Sequence, residues 1–186
     1  MKIKQSTAIK LKLTDLDNLD PITVFVEDLS QGEGKITIEC YGKSWSSYWG
    51  AMGGRTLSAF FVSCNDEYLV NNLAPQMTKY EPDYDTFRQE MRLKVCEMRK
   101  DDIISKDLAR ELYDVEEWDD YVTDNPYEPI KNPCSICERE FDELDFDGFD
   151  VPEKMTTSYQ YLMLIVGTVK EAFKSMPNAT QGEIAA

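Results

Sequence analysis

Short runs typical of β-strands dominate the first fifty residues, and they constrain the fold more than any other feature. Apolar and polar side chains alternate over residues 8–13 and 35–41, residues 22–27 are β-branched and apolar, and residues 44–49 are a candidate fourth strand within an aromatic stretch. A period of two is typical of β-strands with one buried face. Residues 31–34, which include two glycines, can form a hairpin turn between the second and third runs. The pattern predicts an antiparallel meander of three to four strands.

Helical signals dominate the rest of the chain. Polar capping residues followed by apolar residues at helical spacing predict helices over residues 56–63, 65–73, 84–100, 105–113 or 105–118, and 156–174. Three prolines within residues 123–133 predict a loop. We therefore expect an α+β fold in which an N-terminal antiparallel sheet packs against C-terminal helices.

The length of the chain, 186 residues, fits one domain with a core of its own. We expect a single α+β domain over residues 1–186, with a sheet-rich part over 1–75 and a helical part over 76–175. Residues 176–186, which are small and polar, are expected to fray.

The negative charge is concentrated in one part of the sequence. The chain has a net charge of −15, and residues 101–153, here called the acidic segment, hold nineteen acidic and four basic residues, which is also −15. The remainder is neutral. Because nucleic acids and anionic membranes bind basic surfaces, we expect neither as a direct partner. The natural partner is a basic protein surface, such as that of a host nucleic-acid-binding protein.

The residue types that are missing exclude several chemistries. The sequence has no histidine, which removes Ser-His and Cys-His catalysis and two-histidine metal sites. The glycines of residues 42–54 match neither a phosphate-binding loop nor a dinucleotide fingerprint, so no cofactor is predicted. No catalytic constellation is recognisable, and a non-enzymatic protein is the stronger expectation.

Cysteine usage and hydropathy predict a cytoplasmic location. Five cysteines are an odd number and fit reduced thiols better than a disulfide framework. No apolar run is long enough to span a bilayer, and the N-terminus lacks the features of a signal peptide. We expect no membrane association.

Cys134 and Cys137 form half of a metal-binding motif. They follow a proline and precede a predicted short helix, a position that lowers thiol pKa and suits redox exchange or metal ligation. A structural zinc ion needs four ligands, and the usual second pair is missing. Zinc binding, thiol exchange and a plain cysteine pair beside a helix start all remain open.

Residues 143–150 resemble the beginning of a calcium loop, with Gly148 at the turn. Lys154 stands where a bidentate glutamate belongs, and Pro152 interrupts the loop. Acidic residues here alternate with Phe141, Leu144, Phe146 and Phe149, a pattern typical of segments that dock on basic, partly apolar surfaces. Calcium binding, metal-dependent hydrolysis and a solvated loop with its aromatics in the core are the alternatives.

The predicted partner-binding residues combine these carboxylates with nearby aromatics. They are Asp119, Asp120, Glu138, Glu140, Asp142, Glu143, Asp145, Phe146, Asp147, Phe149 and Asp150, together with Trp45 and Trp49. The two tryptophans belong to an aromatic stretch, residues 41–54, that can instead fill the seam between sheet and helices. The predicted last helix is apolar on more than one face, so it either lies at the centre of the core or forms a homodimer interface.

The sequence Tyr41-Gly-Lys-Ser-Trp-Ser-Ser-Tyr-Trp-Gly-Ala-Met-Gly53, followed by Phe60-Phe61 and Asn-Asp-Glu-Tyr-Leu-Val at 65–70, resembles a known group. The group comprises uncharacterised small accessory proteins of temperate phages and prophages of enteric bacteria. The resemblance covers about the first third of the chain and carries over no functional residue. It implies a context in which such proteins inhibit host defence or modulate host machinery.

Together these observations predict a non-enzymatic acidic phage accessory protein that binds a basic protein surface. It would act as a nucleic-acid mimic that inhibits a host defence or nucleic-acid-processing complex. The alternative is a metal-binding module, using zinc or another divalent cation, with a regulatory or nuclease-like role.

Overall fold

The structure is a computed structural model that describes residues 1–3, 5–123, 130–144 and 150–176. In chain order its elements are β1 (Ile9–Leu13), β2 (Ile22–Ser30), β3 (Glu33–Cys40), β4 (Lys43–Trp49), α1 (Leu57–Ser63), α2 (Asp66–Leu73), β5 (Tyr80–Pro82), α3 (Tyr84–Lys100), α4 (Lys106–Tyr113), a short 3₁₀ helix (Trp118–Asp120), α5 (Glu138–Asp142), β6 (Glu153–Met155) and α6 (Thr157–Ser175). The chain divides into two compact units: the first combines residues 1–79 with the segment from residue 156, and the second is residues 80–155.

The sheet of the first unit is the predicted meander. Strands β1 to β4 pair in sequence order, each antiparallel to the next. Alternation buries one face, which carries Ile22, Val24, Val26, Ile36 and Ile38. The predicted α+β arrangement, with an N-terminal antiparallel sheet and C-terminal helices, is confirmed.

A two-residue turn joins β3 to β4. Tyr41 and Gly42 have φ angles of 47° and 73°, the positive values that a tight hairpin turn requires at both central positions. Glycine reaches this region without steric cost, whereas tyrosine adopts it only in a well-defined turn. The turn therefore fixes the register in which Cys40 pairs with Lys43.

Helices α1, α2 and α6 complete the core of the first unit. Thr156 begins α6 by accepting a hydrogen bond from the backbone N–H of Tyr159 at 3.3 Å. The helix buries Tyr159, Leu162, Ile165, Val166, Val169 and Phe173. The Phe173 ring meets Phe61 of α1 edge to face at 5.6 Å between ring centroids. The apolar breadth of α6 is therefore accounted for by a central position in this core, and a homodimer stays a prediction.

The second unit has a separate core formed by helices. Its buried residues are Phe87, Met91, Val95, Ile104, Leu108, Leu112, Trp118, Ile130, Cys134 and Phe141. Strands β5 and β6 pair antiparallel beside this core, with Tyr80 opposite Met155. The helix predicted over 156–174 was grouped with the helical part, whereas the structure places α6 in the first unit.

Candidate interaction surface

The charge of the protein belongs to the second unit. Residues 80–155 contain twenty-four acidic and ten basic residues, a net charge of −14 out of −15 for the whole chain. The acidic segment lies almost entirely inside this unit, since it ends at residue 153. The unit is therefore a strongly anionic body with its own apolar core.

Six of the predicted partner-binding carboxylates are exposed, and all of these except Asp142 lack a described partner. Asp119 and Asp120 lie on the 3₁₀ helix, Glu138 begins α5, Glu143 follows it, and Asp150 lies shortly before β6. Among the residues that the structure describes, no hydrogen bond or ion pair joins these five side chains to another group.

Two other predicted carboxylates have internal roles. Glu140 Oε1 accepts a hydrogen bond from the backbone N–H of Ser105 at 2.5 Å, which ties α5 to the start of α4. Asp142 Oδ1 accepts from Asn132 Nδ2 at 3.0 Å. Each carboxylate stabilises the local fold. Substitution of either one would therefore disturb the fold as well as any contact with a partner.

Arginines of α3 neutralise one further carboxylate. Glu116 accepts from Arg88 Nη1 at 3.0 Å and from Arg92 Nη2 at 2.7 Å. Arg92 also donates from Nε to the Tyr113 carbonyl at 3.0 Å. This pair of arginines fixes the end of α4 against α3.

Glu111 of α4 organises the turn at residues 135–137. Its Oε1 accepts from the backbone N–H of Ser135 at 3.3 Å and of Ile136 at 3.0 Å, and its Oε2 accepts from that of Cys137 at 3.0 Å. The Ser135 hydroxyl donates to the same carboxylate at 3.2 Å. Burial raises the pKa of Glu111, but these hydrogen bonds outweigh burial and hold the pKa below its ordinary value.

The same carboxylate suppresses the two thiols of the turn. Burial, followed by the charge of Glu111, raises the pKa of Cys134 to about 12. The same two causes raise the pKa of Cys137. The expectation that this position lowers thiol pKa is therefore wrong, because burial and the Glu111 charge both disfavour the thiolate. Both cysteines are free thiols.

The described residues contain no group of side chains arranged to bind a metal ion. Among residues 1–3, 5–123, 130–144 and 150–176, no group of three or more Cys, Asp or Glu side chains is placed to hold a metal ion. The calcium-like run at residues 143–150 lies mostly outside the described residues. Asp145, Phe146, Asp147 and Phe149 fall there as well, so their predicted partner contacts stay predictions.

The aromatic residues at 41–54 divide between core and surface. Trp45 is 9% exposed and Trp49 is 6% exposed, so both pack in the core of the first unit. Trp49 lies 5.6 Å from the Phe60 ring and donates from Nε1 to Tyr68 Oη at 3.1 Å. The exposed aromatics of the segment are Tyr41 and Tyr48. An aromatic partner contact here would fall to these tyrosines rather than to the tryptophans.

Sequence reasoning missed two residues of this region. Glu111 is one of nineteen acids in the acidic segment, and no local pattern distinguishes it from the others. Ile136 lies between the two cysteines and is exposed, and no sequence pattern indicates that exposure. Only the tertiary contact between α4 and residues 135–137 reveals either role.

The fold and the charge define a small α+β protein with a separate anionic unit. Within the described ranges, no helix is both long and apolar enough to cross a bilayer. A protein-family model described as a phage family matches residues 1–175, and the chain therefore belongs to this phage family. The match includes the acidic segment, well beyond the first third on which the resemblance rested. No curated protein and no solved structure matches the chain.

Proposed function

We propose that this phage protein is a non-enzymatic binding protein whose acidic second unit engages a basic protein surface. The observation that carries the proposal is the placement of −14 of the −15 net charge in residues 80–155, with exposed carboxylates that pair with no other described side chain. We place its action in the cytoplasm of an enteric bacterial host.

A body with this charge attracts basic surfaces over a long range. Clustered like charges raise association rates with complementary partners and repel nucleic acids and anionic lipids. A protein surface that evolved to hold DNA or RNA carries positive charges, and the carboxylates of the acidic second unit can pair with them. The protein would therefore act as a nucleic-acid mimic that occupies the binding cleft of a host defence or nucleic-acid-processing complex.

Binding to host proteins at two salt concentrations tests the proposal. The immobilised full chain should retain specific proteins at about 0.1 M salt and lose them near 1 M, where the Debye length falls from about 10 Å to about 3 Å. Double-stranded DNA added at low salt should release the same proteins, because it competes for their basic cleft. If neither salt nor DNA releases the retained host proteins, the proposal is contradicted.

Two variants with equal charge change provide the specificity control. The neutralised variant carries Asp119→Asn, Asp120→Asn, Glu138→Gln and Glu143→Gln. The control variant carries Asp15→Asn, Asp17→Asn, Glu39→Gln and Glu171→Gln, all at exposed positions in the first unit. The neutralised variant should lose retention and the control variant should keep it. Equal loss in both would indicate a non-specific charge effect and contradict a defined surface.

A further inference from the structure

Ile136 is displayed on the surface of the second unit. Among the described residues of this unit it is the most exposed large apolar side chain, at 81%. Cys134 and Phe141, which flank it in the chain, are both buried. The chain thus enters and leaves the core on either side of a single outward-facing isoleucine.

The backbone around Ile136 is fixed by side chains of the same unit. Its own N–H donates to Glu111 Oε1 at 3.0 Å, as do the neighbouring N–H groups to the same carboxylate. Asn132 Oδ1 accepts from the N–H of Cys134 at 2.8 Å, and Asn132 Nδ2 donates to the carbonyl of Glu138 at 3.1 Å. A turn already held in one conformation loses little entropy when a partner binds to it.

The chain segment that carries this isoleucine is acidic. Residues 132–144 contain four acidic residues and a single basic residue, Arg139. Burial first, and then the charges of Glu111, Glu140 and Asp107, raise the pKa of the thiol of Cys137, the next residue. Isolated apolar residues on a surface are ordinary, but an apolar side chain on a fixed turn within an acidic segment is placed as an interface hot spot would be.

We propose that Ile136 is the apolar anchor of the acidic surface and inserts into an apolar pocket rimmed by Lys or Arg on the partner protein. This inference rests on the proposed function and specifies the chemistry of its partner. The carboxylates near Ile136 favour a basic partner protein over a membrane or a second copy of the chain. An anionic membrane would be repelled by the carboxylates, and a second copy would present the same carboxylates near the same isoleucine.

Two cationic peptides of equal length and charge test the anchor directly. One peptide combines lysine with serine and the other combines lysine with leucine, and their affinities for the full chain are measured by calorimetry. The Lys-Leu peptide should bind more tightly. Ile136→Gln should weaken the Lys-Leu peptide about tenfold, as expected for losing one buried aliphatic side chain, and leave the Lys-Ser peptide unchanged.

Matched variants keep the result specific to this position. Leu93, on α3, is 67% exposed, so Leu93→Gln removes a comparable apolar side chain elsewhere in the unit and should leave both affinities unchanged. Ile136→Leu should retain most of the affinity for the Lys-Leu peptide. Circular dichroism melts of the three variants should superimpose on that of the unchanged chain.

The possible outcomes separate the two proposals. If the neutralised variant loses both peptides while Ile136→Gln behaves like Leu93→Gln, the anchor is refuted and the acidic surface survives. If the neutralised variant binds both peptides as well as the unchanged chain, the proposed function fails. Sedimentation that reveals a dimer lost in Ile136→Gln would overturn the anchor in favour of self-association.

Discussion

Glu111 Oε2 accepts a hydrogen bond of 3.0 Å from the backbone N–H of Cys137. This contact joins α4 to the turn before α5 and places a carboxylate where a thiolate or a bound anion would otherwise find N–H donors. The backbone N–H donors of the turn are therefore already occupied by a side chain of the protein. Glu111 contributes to the stability of the turn, to its acid sensitivity and, together with burial, to the low reactivity of its thiols.

Glu111→Gln should destabilise the second unit. The amide offers only one acceptor oxygen in place of two, so at least one of the three backbone N–H groups loses its partner. We expect a decrease in Tm of roughly 5 °C. Glu90→Gln, which neutralises an exposed carboxylate on α3, should change Tm by no more than about 1 °C. Equal effects in thermal melts would contradict the structural role of Glu111.

Acid should destabilise the protein through carboxylates of the second unit. The pKa of Glu111 is lowered in the fold, and hydrogen bonding, first from the Thr86 hydroxyl, also lowers that of Asp83. Groups with depressed folded pKa values contribute stability above their ordinary pKa, and that stability is lost as pH falls through the folded pKa. We therefore expect Tm to fall below about pH 4.

The Tm difference between the unchanged chain and Glu111→Gln isolates the contribution of Glu111 to acid sensitivity. Melts at a series of pH values should show the difference narrowing as pH falls below about 4, because protonation and substitution then remove the same charge. A difference that stays constant or widens toward low pH would contradict the assigned direction.

The cysteines should react at very different rates. Cys96 is exposed, whereas Cys134 is buried with its pKa raised to about 12. Because the thiolate is the reactive form, iodoacetamide should label Cys96 first and Cys134 last, as followed by peptide mass spectrometry. Glu111→Gln removes the neighbouring negative charge and should accelerate labelling of Cys137. Rapid labelling of Cys134 in the unchanged chain would contradict the burial of its thiol.

Removing divalent cations should leave the fold unchanged. Cys134 and Cys137 remain protonated near neutral pH, and Glu111 is already bound to backbone N–H groups. We expect an apo mass by native mass spectrometry and the same Tm with and without chelator. A metal-loaded mass, together with a chelator-induced fall in Tm, would support the metal-binding alternative instead.

The local elements were predictable because their signals are local. Alternation predicts β1 and β3, β-branched residues predict β2, the aromatic stretch offers β4 as a candidate, and capping residues predict helix starts, including those at Ser105 and Thr156. The burial of Trp45 and Trp49 also follows from alternation, since even spacing puts both on one face of β4 and Tyr48 on the other. The two tryptophans were nonetheless included among predicted contacts on the strength of residue type.

Tertiary relationships were not predictable from these signals. Strands β5 and β6 are three residues each, too short to show a period, and β5 ends in Pro82. The return of α6 to the first unit and the contact of Glu111 with Cys137 join residues distant in sequence. A single sequence contains the residues that make such contacts but no local periodicity that specifies the pairing.

Helix α6 offers a matched pair of leucines that separates core packing from self-association. Leu162 is 0% exposed and Leu164 is 48% exposed. Leu162→Ala should cost about 2–5 kcal/mol in the free energy of unfolding, because it leaves a cavity among α1, α2 and α6. Leu164→Ala should cost less than about 1 kcal/mol. If Leu164→Ala proved as destabilising as Leu162→Ala in denaturant titrations, and more so as protein concentration rose, the outer side of α6 would be a subunit interface and the predicted homodimer would gain direct support.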